Sequence, residues 1–258
     1  MLTPLKQPIV FELEGFYIPP GFGPLLFFLA LLTYLVVLLG NGVVVFVIVN
    51  NKNLHRPMFV MVCHLLVCDL LGATTVLPRI MMHFLTGQKK IAYISAITQA
   101  FFMHTYGVAV QTILAAMAYD RYIAVCEPLR YYAIMTSARL HSCCALAWFL
   151  AVVLIAVLFG FHMNVPLCGR IIQHVYCSNR GILGLACIPT PTSDIYASLT
   201  IIVSYRFPLL SQNIKKFLSI LFIIVPPAIN PIIYGLVSKD LRMSIIRLVT
   251  IQASHRSR

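Results

Sequence analysis

Polar chemistry is scarce in this chain, so the few places where it breaks an apolar run carry most of the information. Asp69 is the single acid in residues 57–78, a run with no other Asp, Glu, Lys or Arg. A carboxyl group there needs a partner, and Asn41 and Asn230, amides in two other apolar runs, are the candidates. Two chemistries fit: a protonated Asp satisfied by a neighbouring helix, or a cation- or water-linked site with sodium as the metal to consider. Met103, His104, Gly107, Val108 and Gln111 mark a second run. Spacings of three and four bring Met103, His104, Gly107 and Gln111 near one helix face. A His so placed is either a satisfied packing residue or a ligand contact. Asp120 and Arg121 follow a third uncharged stretch, inside MAYDRYIAVCEPLRY at 117–131. Catalysis would need a nucleophile paired with a base. Asp69 alone, with no His-x-x-His or Gly-x-Ser-x-Gly nearby, does not supply that pair, so no catalytic residue is assigned and the chain is not expected to be an enzyme.

These groups must be positioned by helices in a membrane. The chain is 60% hydrophobic and only 10% charged, where a soluble domain carries about a quarter charged residues. Residues 15–51, 91–119, 140–169 and 217–238 contain no Asp, Glu, Lys or Arg. Each is long enough for the roughly 20 residues that cross a bilayer as a helix. Lipid offers no backbone partners, and a closed barrel would show alternation, so the spans are helical. The expected fold is all-α, a polytopic transmembrane helix bundle in one domain over 1–258. It has five full spans, near 24–50, 57–83, 93–125, 140–162 and 214–237, and one short outer apolar segment. An outer loop over 163–213 and a basic tail over 238–258 complete it.

The net charge of +12 sits in loops and tail. Lys52 and Arg56 follow the first span, Arg121, Arg130 and Arg139 the third, and Lys239, Arg242, Arg247, Arg256 and Arg258 the last. Positive residues stay cytoplasmic, which places the N-terminus outside and the C-terminus inside a plasma membrane, against the vote of Lys89 and Lys90. Membrane lipid, not nucleic acid, is the partner of this charge, and the tail from Lys239 onward reads as a basic amphipathic helix for an anionic leaflet. The first 20 residues are not a signal peptide, since Glu12 and Glu14 fall where its apolar core would lie. No Asn-x-Ser/Thr sequon occurs. Cys63, Cys68, Cys126, Cys143 and Cys144 are expected to be reduced. Cys168, Cys177 and Cys187 fall on the outer side, where disulfides are permitted and three cysteines leave one over. Zinc competes for them, but their spacing matches no common ligand pattern. No cofactor is implied. Pro226, Pro227 and Pro231 in the last span remove backbone donors and leave carbonyls for water or Asn230.

Taken together, these motifs resemble the olfactory receptors of vertebrates, within the rhodopsin-like G-protein-coupled receptors. The pattern around Asp120–Arg121–Tyr122 with CEPLRY is the most specific part. GN at 40–41, LHRPMF at 54–59, LxxxD at 65–69, three outer cysteines, PPAINPIIYG at 226–235 and SKDLR at 238–242 occur in the family's order. The CEPLRY and HVYCSNRG wording is similar to that of fish receptors. The resemblance implies an odorant receptor that binds small odorants and signals through a heterotrimeric G protein of the stimulatory, olfactory type. It implies an Asp120–Arg121 ion pair that releases Arg121 to the G protein, with Tyr122 and a toggling Tyr234 in the same switch. It implies an interior cluster of Asn41, Asp69 and Asn230, an odorant pocket beside Met103, His104, Gly107, Val108 and Gln111, and a Cys168 to Cys187 bridge.

Two features depart from that pattern. Ala96 stands where the family has a helix-three cysteine, which leaves Cys177 without its usual partner. Between Asp194 and Arg206 only the eleven residues of 195–205 are uncharged, a helical rise of about 16 Å, half a bilayer core. DIYASLT resembles the start of the family's fifth helix and IIVSYRFPLL the end of its sixth, so most of both is expected to be missing. Losing two spans together keeps the tail cytoplasmic. The competing expectations are a non-signalling truncated isoform or gene-model fragment and, from another class, a membrane transporter or channel subunit. The last would want repeated, interrupted polar spans that this chain lacks.

Overall fold

A computed structural model describes residues 10–162, 165–187 and 212–256; the 195–205 stretch lies outside them. The long helices are α1 (Gly23–Asn50), α2 (Pro57–Thr86) and α3 (Tyr93–Cys126), then, after the short α4 (Tyr131–Ile134), α5 (Ser137–His162). The short α6 (Asn179–Leu183) is followed by α7 (Gln212–Val237) and α8 (Lys239–Arg256). Of these, α1, α2, α3 and α5 are long and apolar enough to cross a membrane, and α7 has a shorter apolar stretch at Ile223–Tyr234. The chain is therefore a multi-pass helical membrane protein. Local chemistry marks the ends. The Asn51 side chain accepts the Asn53 N–H at 3.1 Å and starts a 3-10 turn, and Pro57 opens α2, where its missing N–H costs nothing.

Two compact units divide the chain. The first comprises Met1–Leu31, Thr74–Thr105 and Val153–Phe222; the second comprises Leu32–Ala73, Tyr106–Val152 and Ile223–Arg258. In the first unit, β1 (Val10–Leu13) lies between β2 (Lys90–Ala92), antiparallel, and β3 (Ile171–Ile172), parallel. VFEL alternates exposed and buried positions, so Phe11 and Leu13 face inward with Ile91 and Ile172. Residues 163–213 were expected as an outer loop; within them Ile171–Ile172 form a strand, paired with β1. The Cys168 to Cys187 disulfide, with Cα atoms 5.0 Å apart, closes the 165–187 segment. Beside it Cys168 N–H donates to Leu185 O at 2.7 Å and Cys187 N–H to Pro166 O at 2.9 Å. After β1 the chain turns through Gly15 at φ +70°, where a Cβ would also stand 2.6 Å from the His83 ring. Only glycine fits that corner.

The second unit holds a core of Val44, Ile48, Leu54, Phe59, Leu66 and Leu241, against which Tyr234 packs. Leu241 belongs to SKDLR and Leu54 to LHRPMF, so the two motifs meet. Arg56 pairs with Asp240 at 3.2 Å and Asn51 Nδ2 donates to Ser244 Oγ at 2.9 Å. Both partners of the ion pair are exposed, so the buried Leu241 holds the joint more than the charges do.

Candidate functional site

Three prolines run through α7, and one of them creates the site's first contact. Pro231 has no N–H to offer the carbonyl four residues before it, so Pro227 O is left without its helical donor. Asn41 Nδ2 donates to that oxygen at 2.9 Å, and to Val37 O within α1 at 2.8 Å. The freed carbonyl thus takes Asn41, where water or Asn230 was expected. Gly40 faces Pro231, where a Cβ would lie 3.4 Å from Pro231 Cγ, in ordinary van der Waals contact; at Gly42 the same position meets nothing within 4 Å.

Asn230 turns to Asp69 instead and donates Nδ2 to Oδ2 at 2.7 Å. Asp69 is buried in α2, and a single charge-capable oxygen pair in an apolar helix is stabilised only when donors reach it. Asn41 Oδ1, also buried, has no hydrogen-bond partner among the described residues. No group of three or more His, Cys, Asp or Glu converges among those residues. A cation at Asp69 would therefore rest on one carboxylate, with Asn41 Oδ1 as another unused oxygen in the same unit. Nearby in sequence, Gly72 lies under the Tyr106 ring, with 2.9 Å left for a Cβ.

Asp120 and Arg121 do not pair. Asp120 is buried and its Oδ1 accepts the Tyr131 hydroxyl at 2.7 Å, while Arg121 is exposed and its Nη2 touches Met58 Sδ. Among the described residues no acid lies within ion-pair distance of Arg121. Successive side chains on a helix point about 100° apart, so neighbours in sequence rarely share a partner face. The CEPLRY motif supplies Asp120's donor instead. Burial, then the bond to Asp120, pushes the Tyr131 hydroxyl up to about 12, so it remains a donor at neutral pH. Tyr122 is exposed.

The α3 residues expected at a ligand divide between the two units. In the first, His104 Nε2 accepts the Asn179 N–H at 3.0 Å, at the start of α6, and its ring lies 6.3 Å from that of Phe159. His104 is thus occupied in holding the 165–187 segment, and Met103 beside it is half-buried. In the second, Gly107 and Gln111 are exposed and Val108 is half-buried. One turn on, Thr112 Oγ1 bonds Ala147 O at 3.1 Å, and Trp148 Nε1 donates to His64 Nδ1 at 3.3 Å; these ties of α5 to α3 and α2 carry no sequence pattern that announces them.

Cys177 is buried, and its N–H donates to Gln99 Oε1 at 3.0 Å, one turn from the buried Ala96. Gln99 in turn donates Nε2 to Thr75 O at 2.9 Å. Burial drives the Cys177 thiol up to about 12, where almost no thiolate exists at neutral pH. Alkylation of the folded, non-reduced protein is expected to label Cys126, which is exposed, and to leave Cys177 unlabelled until denaturation. Peptide mapping would show a Cys168 to Cys187 link; a Cys177-containing link would contradict the pairing.

With this arrangement in view, the olfactory receptor family profile matches residues 29–210. Olfactory receptor 2K2 of Homo sapiens is 27% identical, covering 95% of this chain and 96% of its own length. That alignment runs over 303 positions although the chain has 258 residues, so the relative carries residues with no counterpart here. Olfactory receptor 2A7 of Mus musculus is 34% identical over 71% of this chain and 60% of its own length. Olfactory receptor 6B3 of Homo sapiens is 31% identical, over 80% and 62%. A profile match over more than half the chain, together with relatives of this identity, makes the chain a member of the olfactory receptor family, which are rhodopsin-like receptors and not enzymes.

Proposed function

We propose that this chain is an odorant receptor of the plasma membrane, with its N-terminus outside and its C-terminus in the cytoplasm. It binds small odorants and belongs to the branch that works through a stimulatory heterotrimeric G protein. Family membership carries this reading, and the distribution of Lys and Arg along the chain supports the orientation. Met103, Gly107, Val108 and Gln111 on α3 contact the odorant, and His104 holds the 165–187 segment through the Asn179 N–H. Arg121, Tyr122 and Tyr234 serve the cytoplasmic switch, with Asp120 held by Tyr131. Asn41, Asp69 and Asn230 form the interior polar cluster, and sodium is the cation that Asp69 would take.

A second reading is favoured by one observation, the extra length of the aligned relative. On that reading this is a short form that reaches the membrane and binds ligand but does not signal. Binding separates both from a transporter. Purified chain titrated with a panel of neutral volatile alcohols, aldehydes and esters is expected to give saturable binding to at least one, weakened several-fold by Gly107→Leu or Gln111→Leu. Saturable binding unaffected by either variant would move the odorant away from α3. Saturable uptake of a panel member by sealed vesicles containing the chain, above that of protein-free vesicles, would replace the receptor reading with a transport one.

A further inference from the structure

A cavity of about 460 Å³ opens in the first unit, and none of the α3 residues assigned to odorant lines it. Small-molecule sites span roughly 300–1,000 Å³, so its size suits a compact organic ligand. Glu14, Phe16, Ile18, His83, Lys89 and Lys216 line it. Lys216 is only 5% exposed, and burying an ammonium is costly unless it is paired and hydrogen-bonded. Its Nζ lies 3.0 Å from Glu14 Oε2 and donates to Gly15 O at 2.9 Å. An ammonium has three donors, so one is left without a partner among the described residues. Lys89 is exposed, and among the described residues no acid pairs with it. Two cations therefore face one anion, and the wall carries one net positive charge. His83 brings no cation to this balance in the tautomer the structure uses, since its Nε2 accepts the Phe16 N–H at 3.2 Å. That bond holds Phe16 and the following Ile18, both half-buried, as the apolar part of the wall.

We infer that this cavity binds a small organic monoanion, a carboxylate on an apolar body. The carboxylate takes the third Lys216 donor and the Lys89 ammonium, and its body lies against Phe16 and Ile18. Glu14 keeps its bond to Lys216, so no buried charge is stranded on binding. The inference draws on the odorant-binding reading only for ligand size, and binding is the readout, so a chain that does not signal tests it equally.

Full-length chain in a neutral detergent is titrated at low salt with hexanoate, methyl hexanoate and hexan-1-ol, following ligand-dependent thermal unfolding. Hexanoate should bind saturably and about tenfold or more tighter than the ester or the alcohol, one charge-assisted contact's worth of discrimination. Lys216→Met should abolish hexanoate binding, with helix content checked by circular dichroism. Should that variant fail to fold, Lys89→Glu, which reverses an exposed charge and removes no buried contact, should weaken hexanoate several-fold and leave the alcohol unchanged. Equal binding of hexanoate and hexan-1-ol, no effect of Lys89→Glu, or equal competition by inorganic phosphate would each overturn the proposal. Binding of neutral odorants without hexanoate would remove this site and leave the receptor reading intact; hexanoate binding without any neutral odorant would do the reverse.

Discussion

On the short-form reading, cells expressing this chain, with surface delivery verified, are expected to give no odorant-dependent cyclic AMP above background. The same chain with the absent family segment grafted into the 195–205 stretch should respond. Coupling of ligand to G protein needs an element with two arrangements that the ligand can bias. Moving such an equilibrium from 1:99 to 99:1 takes a differential affinity of about 10⁴, which must come from contacts that change between states. The resemblance implies that this element is the family's sixth helix moving away from the helix-three arginine, and IIVSYRFPLL resembles only the end of that helix. Arg121 itself is exposed, against Met58, and among the described residues no acid pairs with it. Cyclic AMP from the 258-residue form at the level of the grafted one would show that the short chain signals and that another element moves.

The second large effect lies at Asp69. Replacing Asn230 by Leu leaves a buried carboxyl without its donor, a loss of about 1–3 kcal/mol for an unsatisfied polar group. Asp69→Leu strands the Asn230 amide in the same way. Removing both groups together should cost less than the sum, with a coupling of about 0.5–2 kcal/mol, the range of hydrogen bonds between membrane helices. Thermal unfolding of the two single variants and the double variant in detergent measures it. Additive losses would mean that the 2.7 Å contact contributes nothing beyond its two ends.

Asp69 and Asn230 were legible in the sequence because an acid in an apolar run must find a donor and only a few amides were on offer. Asn41 was legible as a polar residue, but its destination was not, because that depends on which carbonyl Pro231 sets free. The Asp120 and Arg121 pairing was misread for a geometric reason: adjacency along a helix separates side chains, and the true partner, Tyr131, lies across a turn. The ion pair of Glu14 with Lys216 was invisible, since 202 residues separate them and neither sits in a local pattern. The small sheet was missed likewise. Each of its three strands has four residues or fewer, too short for alternation to stand out from a loop.

That sheet has a consequence in time. Glu12 pairs with Lys90 on one side and Ile171 on the other. At synthesis rates of about 5–20 residues per second, the second partner emerges roughly 8–30 s after the first strand has left the ribosome. Through that interval VFEL has no complete set of backbone partners, and the cavity wall it introduces, Glu14 to Ile18, has no Lys216 to meet until α7 is made. The strand at Val10–Leu13 is thus made well before its last partners and settles only once they have followed.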